Sequence, residues 1–412
     1  MNFNELDICL IMGLYPKERA SQIESDSIYG IQNAANVFQW NILDGIVGNG
    51  VTSIEVINSM YIGSYPKKYK KMYIPSYAFS LKNGIVGENI GFLNLPVIKE
   101  YIRYFTMKKS LKRWALSCKT NKVAIAYAAT YPMLKALCYL KKLNPEIRTC
   151  LIVPDLPIYM NLSHSRTGVL HRIKNKIVDA EIVKPDSYVL LTEQMKHAIW
   201  GAEDKPVAIV EGMTSIQKIS IENRHAVNET GYKYFLYTGT LNYQYGIMDL
   251  VKSFERADIG NMQLLICGEG EAQKEIQSHA RKNSRIHFLG CCLHDRVVEL
   301  QKNAYALINP RRNEGEYTKY SFPSKIMEYM SSGRPTIAYL LDGMPKEYKQ
   351  FLICVDDGEN GLKKAMEYVA QRGEEFCNSF GHAAQKFVMH EKNSQAQMRK
   401  VLKMFVEEQD EA

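Results

Sequence analysis

Twelve short apolar runs, each followed by a turn and then by a helical pattern, restrict the folds open to this chain. In the first half they fall at 8–12, 54–57, 123–127, 150–153, 188–191 and 207–210. In the second half they fall at 234–237, 264–267, 286–289, 304–308, 336–339 and 352–355. Strands this short, and apolar on both faces, belong in parallel sheets that helices cover on both sides. The intervening helical patterns agree: Ile247, Leu250, Val251 and Phe254 recur on one face of a helix. Between the two series the stretch 212–233 is polar and irregular, which predicts a linker there. A chain of 412 residues exceeds what one hydrophobic core usually supports, so two domains are expected. Their expected limits are 1–215 and 230–385. A final helical pattern over 383–405 is long enough to cross back, so 386–412 is assigned to a helix returning to the first domain.

Composition narrows the class. The chain is 46% apolar and 23% charged, with no low-complexity tract, as a globular protein should be. Its nine cysteines include no C-x-x-C pair, which points to reduced thiols in a cytoplasmic protein rather than a zinc site. The first residues enter a strand pattern directly, and Pro132 and Lys135 break the longest apolar stretch, so neither a signal peptide nor a membrane-spanning helix is expected. The net charge of +8 is unevenly placed. Between Lys99 and Lys142 eleven Lys or Arg face one acid, Glu100, and SYPKKYKKMY (64–73) adds four lysines among tyrosines. Such a surface could meet an anionic membrane, a phosphorylated acceptor or nucleic acid, and the mixture of tyrosines and lysines slightly favours the membrane. No recognised nucleic-acid-binding module accompanies it.

The chemistry concentrates in NPRRNEGEYTKYSFPSKIMEYMSSGRPT, from Asn309 to Thr336. Wound as a helix from about Phe322, it brings Ser321, Ser324, Lys325 and Glu328 into one stripe, with Phe322, Ile326, Met327 and Met330 opposite. Ser321 is the expected cap and Gly333 with Pro335 the stop. A helix N-terminus with a lysine attracts phosphate, and Glu328 one turn further can accept bonds from sugar hydroxyls. Two glycine turns follow strand ends upstream: Gly239 and Thr240 in TGT, and Gly268 and Gly270 in GEGE. Their backbones can approach a nucleotide diphosphate closely. The third glycine of a dinucleotide fingerprint is missing, with Gln273 in its place.

The segments YTGTLNYQYGIMDLVKSF, LLICGEGE, IHFLG, ALINPRRNEGEYTKYSFPSKIMEYMSSGRPTI and DGMPKEY, in that order, resemble the nucleotide-sugar half of a retaining family 4 glycosyltransferase. The likeness is nearest to the bacterial transferases of capsule, exopolysaccharide or lipopolysaccharide synthesis, and it covers about 234–360. It implies an α/β chain of GT-B architecture, with two Rossmann-like parallel-sheet domains facing each other across a cleft. It also implies a UDP- or GDP-sugar donor, transfer with retention, and no metal or other cofactor; no Asp-x-Asp triplet is present. Glu328 matches the second of the family's two glutamates and would bind the ribose. The first should stand at 320, where this chain has Tyr320, so Glu316 is the candidate carboxylate for the donor sugar, with Glu314 nearby. Thr240 and Tyr245 occupy the places where the family commonly has an Arg and a Lys for the diphosphate. Lys325 is the expected replacement, with Arg311, Arg312 and Lys319 as further candidates.

In the first domain the resemblance places the acceptor near GLYPKE, which begins at Gly13, and near Asn36 and Trp40 on the helix that follows. Asp155, in VPDLP, either orients a reacting group in the cleft or caps the next turn. The expected function is sugar transfer to a lipid-linked oligosaccharide or polysaccharide precursor, at the cytoplasmic face of a membrane. A nucleotide-sugar epimerase on the same fold and a catalytically silent partner subunit are the alternatives.

Overall fold

The computed structural model describes residues 3–156, 169–215 and 231–406. Most of the expected linker, 216–230, lies outside the described residues. The chain divides into two compact units, residues 1–213 with 394–412, and residues 214–393.

The first unit is built on an eight-stranded sheet. Its strands are β1 (Asp7–Met12), β2 (Ser53–Asn58), β4 (Tyr77–Ser80), β5 (Val86–Asn89), β7 (Lys122–Tyr127), β8 (Arg148–Val153), β9 (Ser187–Leu190) and β10 (Val207–Ile209). A separate two-stranded ribbon pairs β3 (Tyr73–Ile74) with β6 (Phe92–Leu93). The order is β10-β9-β8-β7-β1-β2-β5-β4, parallel throughout except for the antiparallel edge pair β4–β5. Every residue of β1 and β7 is buried, the signature of strands covered on both faces. Neither the edge pair nor the ribbon is expected from the sequence, because SYAFS and VGEN lack the apolar run that marked the other strands.

The second unit carries six parallel strands: β11 (Tyr234–Thr238), β12 (Gln263–Cys267), β13 (Ile286–Gly290), β14 (Ala306–Asn309), β15 (Thr336–Ala338) and β16 (Ile353–Cys354). Their order, β13-β12-β11-β14-β15-β16, reverses direction between β11 and β14. The helix Ile247–Arg256 buries Ile247, Leu250, Val251 and Phe254 completely, as its spacing predicts. Each such side chain contributes roughly 1.5–3 kcal/mol of transfer free energy.

The long helical pattern near the C-terminus is two helices, Glu374–Glu391 and Ser394–Lys403. Thr214 explains the break: its N–H donates to the Lys392 carbonyl at 2.9 Å and its hydroxyl to the Val388 carbonyl at 3.1 Å. Those carbonyls are thereby satisfied without another helical turn. The later helix places Met398, Val401 and Leu402 in the core of the first unit, followed by Phe405. Among the described residues no helix is long and apolar enough to cross a membrane.

Candidate functional site

In an open parallel sheet, the strand ends at a reversal of order splay apart and leave a crevice. In the second unit this point lies beyond β11 and β14, and a cavity of about 290 Å³ opens there. Thr238, Gly239 and Thr240 from the β11 turn, Asn309 and Arg311 from the β14 turn, and Ser324, Lys325 and Tyr329 from the following helix line it. Strand order thus gathers residues that are far apart in sequence.

The helix runs from Ser324 to Ser331 and starts two residues later than expected. Pro323 stands at its N-cap with an extended backbone, and no side chain caps this end. Ser321 is therefore not the cap. Its hydroxyl donates to the Tyr317 carbonyl at 3.0 Å and accepts from Arg311 Nη2 at 3.0 Å. First-turn amides have no intrahelical partner, so those of Ser324 and Lys325 stand uncapped at the cavity wall. Phe322, Ile326, Met327 and Met330 are buried on the opposite face, as their spacing predicts.

Lys325 Nζ lies 2.9 Å from Glu328 Oε2 and 3.1 Å from Oε1. The same carboxylate accepts from Gln301 Nε2 at 2.7 Å, and Gln301 also donates to Thr238 Oγ1 at 3.2 Å. Glu328 itself lies beside the cavity rather than in its wall. Tyr329 completes the link to the β11 turn: its hydroxyl accepts from Thr238 N–H at 2.8 Å and donates to Thr238 O at 2.9 Å. Sequence reasoning missed Gln301 and Tyr329. A glutamine near the end of an exposed-looking helix and a tyrosine within an apolar run carry no local signal.

The glycines have a packing role. A Cβ on Gly268, whose φ is +144°, would lie 1.8 Å from the Gly239 carbonyl oxygen. The two turns are stitched by backbone bonds, Gly239 N–H to Cys267 O at 3.0 Å and Leu241 N–H to Glu269 O at 2.9 Å. A Cβ on Gly270 would lie 2.7 Å from the Leu241 carbonyl oxygen, so GEGE braces TGT from behind, and neither Gly268 nor Gly270 lines the cavity.

The candidate cations are not equivalent. Arg312 Nε is 2.8 Å from Asp249 Oδ2, and Lys319 Nζ is 3.6 Å from Glu316 Oε1. Arg311 instead lies over two rings, 5.7 Å from the centroid of Tyr245 and 5.1 Å from that of Tyr317. Glu316 opens the short 3₁₀ helix Glu316–Tyr320, with its side chain 77% exposed. It does not line the cavity.

In the first unit, order reverses between β7 and β1, and the predicted acceptor-side residues lie at that end. Their polar groups hold the loop after β1. Gly13 N–H donates to Gln39 Oε1 at 2.7 Å, Tyr15 N–H to Asn36 Oδ1 at 2.8 Å, and Trp40 Nε1 to Tyr15 O at 3.2 Å. Tyr61 is a further member that sequence reasoning missed. Its hydroxyl accepts from Ala128 N–H at 3.1 Å and donates to Tyr127 O. Asp155 stands just beyond β8, where loss of hydration raises its carboxyl pKa. Among the described residues no cluster of three or more His, Cys, Asp or Glu could hold a metal ion.

Residues 232–372 match the family described as Glycosyl transferases group 1. Comparison with curated proteins finds no significant match. Similar solved structures include sucrose-phosphate synthase from Thermosynechococcus elongatus, 13% identical, with a TM-score of 0.62 over 97% of this chain and 98% of that one. A trehalose-6-phosphate structure from E. coli bound with UDP-2-fluoro glucose is 9% identical, with a TM-score of 0.61 over 97% and 99%. HepE from Anabaena in complex with UDP is 12% identical, with a TM-score of 0.59 over 96% and 99%. At these identities the likeness carries the fold, which extends over nearly the whole chain. The protein therefore has the two-domain α/β fold of the GT-B type, and residues 232–372 of its second unit are similar to the group 1 glycosyl transferases.

Proposed function

We propose that the protein transfers a hexosyl group, with retention, from a UDP- or GDP-sugar to a lipid-linked oligosaccharide or polysaccharide precursor. The observation that carries this reading is the cavity at the β11/β14 reversal, where an uncapped helix N-terminus and two cationic side chains meet. Positive potential at such a point favours a diphosphate, and most of all one gaining charge as its bond to the sugar breaks. In the reaction the anomeric carbon–phosphate oxygen bond breaks and a bond to the acceptor oxygen forms on the same face. The acceptor proton passes to the departing phosphate. No protein nucleophile and no metal are required by this route. Glu328 receives the ribose hydroxyls, and Asp155 orients a reacting group; Glu316, exposed and outside the cavity, is given no part in it.

Similar structures named with UDP and UDP-2-fluoro glucose support the donor class. The membrane-side acceptor is supported by the helix Ile98–Ala115, on which exposed Phe105, Lys109 and Lys112 share one face with Leu116 just beyond its end. The proposed location is accordingly cytoplasmic, peripheral to the membrane.

Thermal shift against UDP-, GDP- and CMP-sugars tests the reading, since a ligand bound only by the folded state raises Tm. One UDP- or GDP-sugar should do so, and Glu328→Ala should weaken its binding by about 1–3 kcal/mol. Tyr320, Thr240 and Tyr245, at positions where charged groups are expected, favour a second reading as a silent partner subunit. A chain that no sugar nucleotide stabilises would establish that one instead.

A further inference from the structure

Resting on the reading of this cavity as a donor site, we infer that Arg311, and not Lys325, is the cation that receives the departing diphosphate. Four basic side chains follow β14 closely enough to be considered, and three are already matched with carboxylates. Arg312 pairs with Asp249, Lys319 with Glu316, and Lys325 makes a two-oxygen contact with Glu328. A lysine held in that way presents little net charge to a ligand, and extracting it leaves a carboxylate behind.

Among the described residues the partners of Arg311 are neutral. Its Nη2 donates to Ser321 Oγ at 3.0 Å, while its Nε is buried with no hydrogen-bond partner. A buried N–H without an acceptor is costly, and an incoming oxygen relieves that cost. The rings of Tyr245 and Tyr317 fix the plane of the guanidinium without cancelling its charge. The planar fork then suits two phosphate oxygens at once.

Tyr245 explains how the cation moved. It ends the 3₁₀ turn Tyr243–Tyr245, at the place where the family resemblance leads one to expect a lysine. Gly246 follows in the left-handed region at φ +74°, and a Cβ there would lie 2.3 Å from the Pro310 carbonyl oxygen. That close approach sets Tyr245 beside Arg311. The residue standing where a cation was expected thus seats a cation supplied by another loop.

The test is calorimetric titration of the full-length protein with UDP and GDP, each compared with its monophosphate, for the wild type, Arg311→Gln, Arg311→Lys, Lys325→Gln and Tyr245→Leu. Arg311→Gln should weaken diphosphate binding tenfold or more and monophosphate binding by less than threefold. Its binding should also depend less on salt. Arg311→Lys should recover part of the loss, Tyr245→Leu should show a smaller loss of the same kind, and Lys325→Gln should lose less than Arg311→Gln. Diphosphate binding unchanged in Arg311→Gln, equal losses for both nucleotides, or a larger loss in Lys325→Gln would each overturn the assignment while leaving the donor site in place. Should Arg311→Gln fail to fold, the lysine and Tyr245 variants carry the same decision, and wild-type affinity in both overturns it. A wild-type protein that binds neither UDP nor GDP would overturn the donor-site reading itself, and this inference with it.

Discussion

The Tyr329 hydroxyl bonds to both backbone groups of one residue, accepting from Thr238 N–H at 2.8 Å and donating to Thr238 O at 2.9 Å. The last residue of β11 is thereby tied to the helix that borders the cavity. Burial pushes the Tyr329 pKa well above the ordinary phenol value, so the group keeps its proton and remains a donor.

Tyr329→Phe keeps the ring but leaves both Thr238 backbone groups without their buried partner. The variant should lose about 1–3 kcal/mol in urea unfolding of the second unit's transition. Donor affinity should fall as well, because the turn carrying Gly239 and Thr240 is no longer held against the helix. Stability equal to wild type would show that the two bonds contribute nothing net.

Much of the fold was legible because parallel strands buried on both faces advertise themselves as apolar runs, as β1 and β7 do. Their order was not legible, since Tyr234–Thr238 pairs with Ala306–Asn309 across some seventy intervening residues and nothing local records it. The site divides in the same way. Ser324 and Lys325 could be read from helical spacing, and Gly239 from its turn. The bonds of Gln301 to Glu328, and of Tyr329 to Thr238, arise only when separate elements meet. Glycine at 268 was visible as a residue, yet its reason, a carbonyl oxygen of the neighbouring turn, was not.

Gly268→Ala follows from that reason. Its Cβ would lie 1.8 Å from Gly239 O, so the TGT turn must shift, whereas Gly290, with a φ of +68°, has nothing within 4 Å of the corresponding position. Gly290→Ala should therefore cost only the backbone term, about 1–2 kcal/mol. Gly268→Ala should cost at least about 1–3 kcal/mol beyond its own backbone term, from forced displacement in a packed region. It should also weaken nucleotide binding, which Gly290→Ala leaves alone. Equal unfolding midpoints for the two variants would contradict the close contact.

Glu181 in the first unit provides a pH-dependent prediction. Burial pushes its carboxyl pKa up, but hydrogen bonds from Cys138, Lys135 and Lys184 outweigh that effect and hold it below the usual value. Lys135 Nζ stands 3.0 Å away, Lys184 Nζ 3.1 Å and Cys138 Sγ 2.6 Å. Burial and Glu181 in turn push the Cys138 thiol up to about 12, so it donates at neutral pH. A carboxyl that binds its proton more weakly when folded than when unfolded stabilises the fold above its ordinary pKa. That contribution is lost as pH falls through the ordinary value and then through the folded one. Glu181→Gln should therefore be less stable than wild type by about 1–2 kcal/mol at pH 7, a discounted figure for a cluster whose lysines are partly exposed. The gap should close progressively below about pH 4.3. Urea unfolding across that range measures it, and a difference that stays constant with pH would mean that the carboxylate charge is not what the cluster uses.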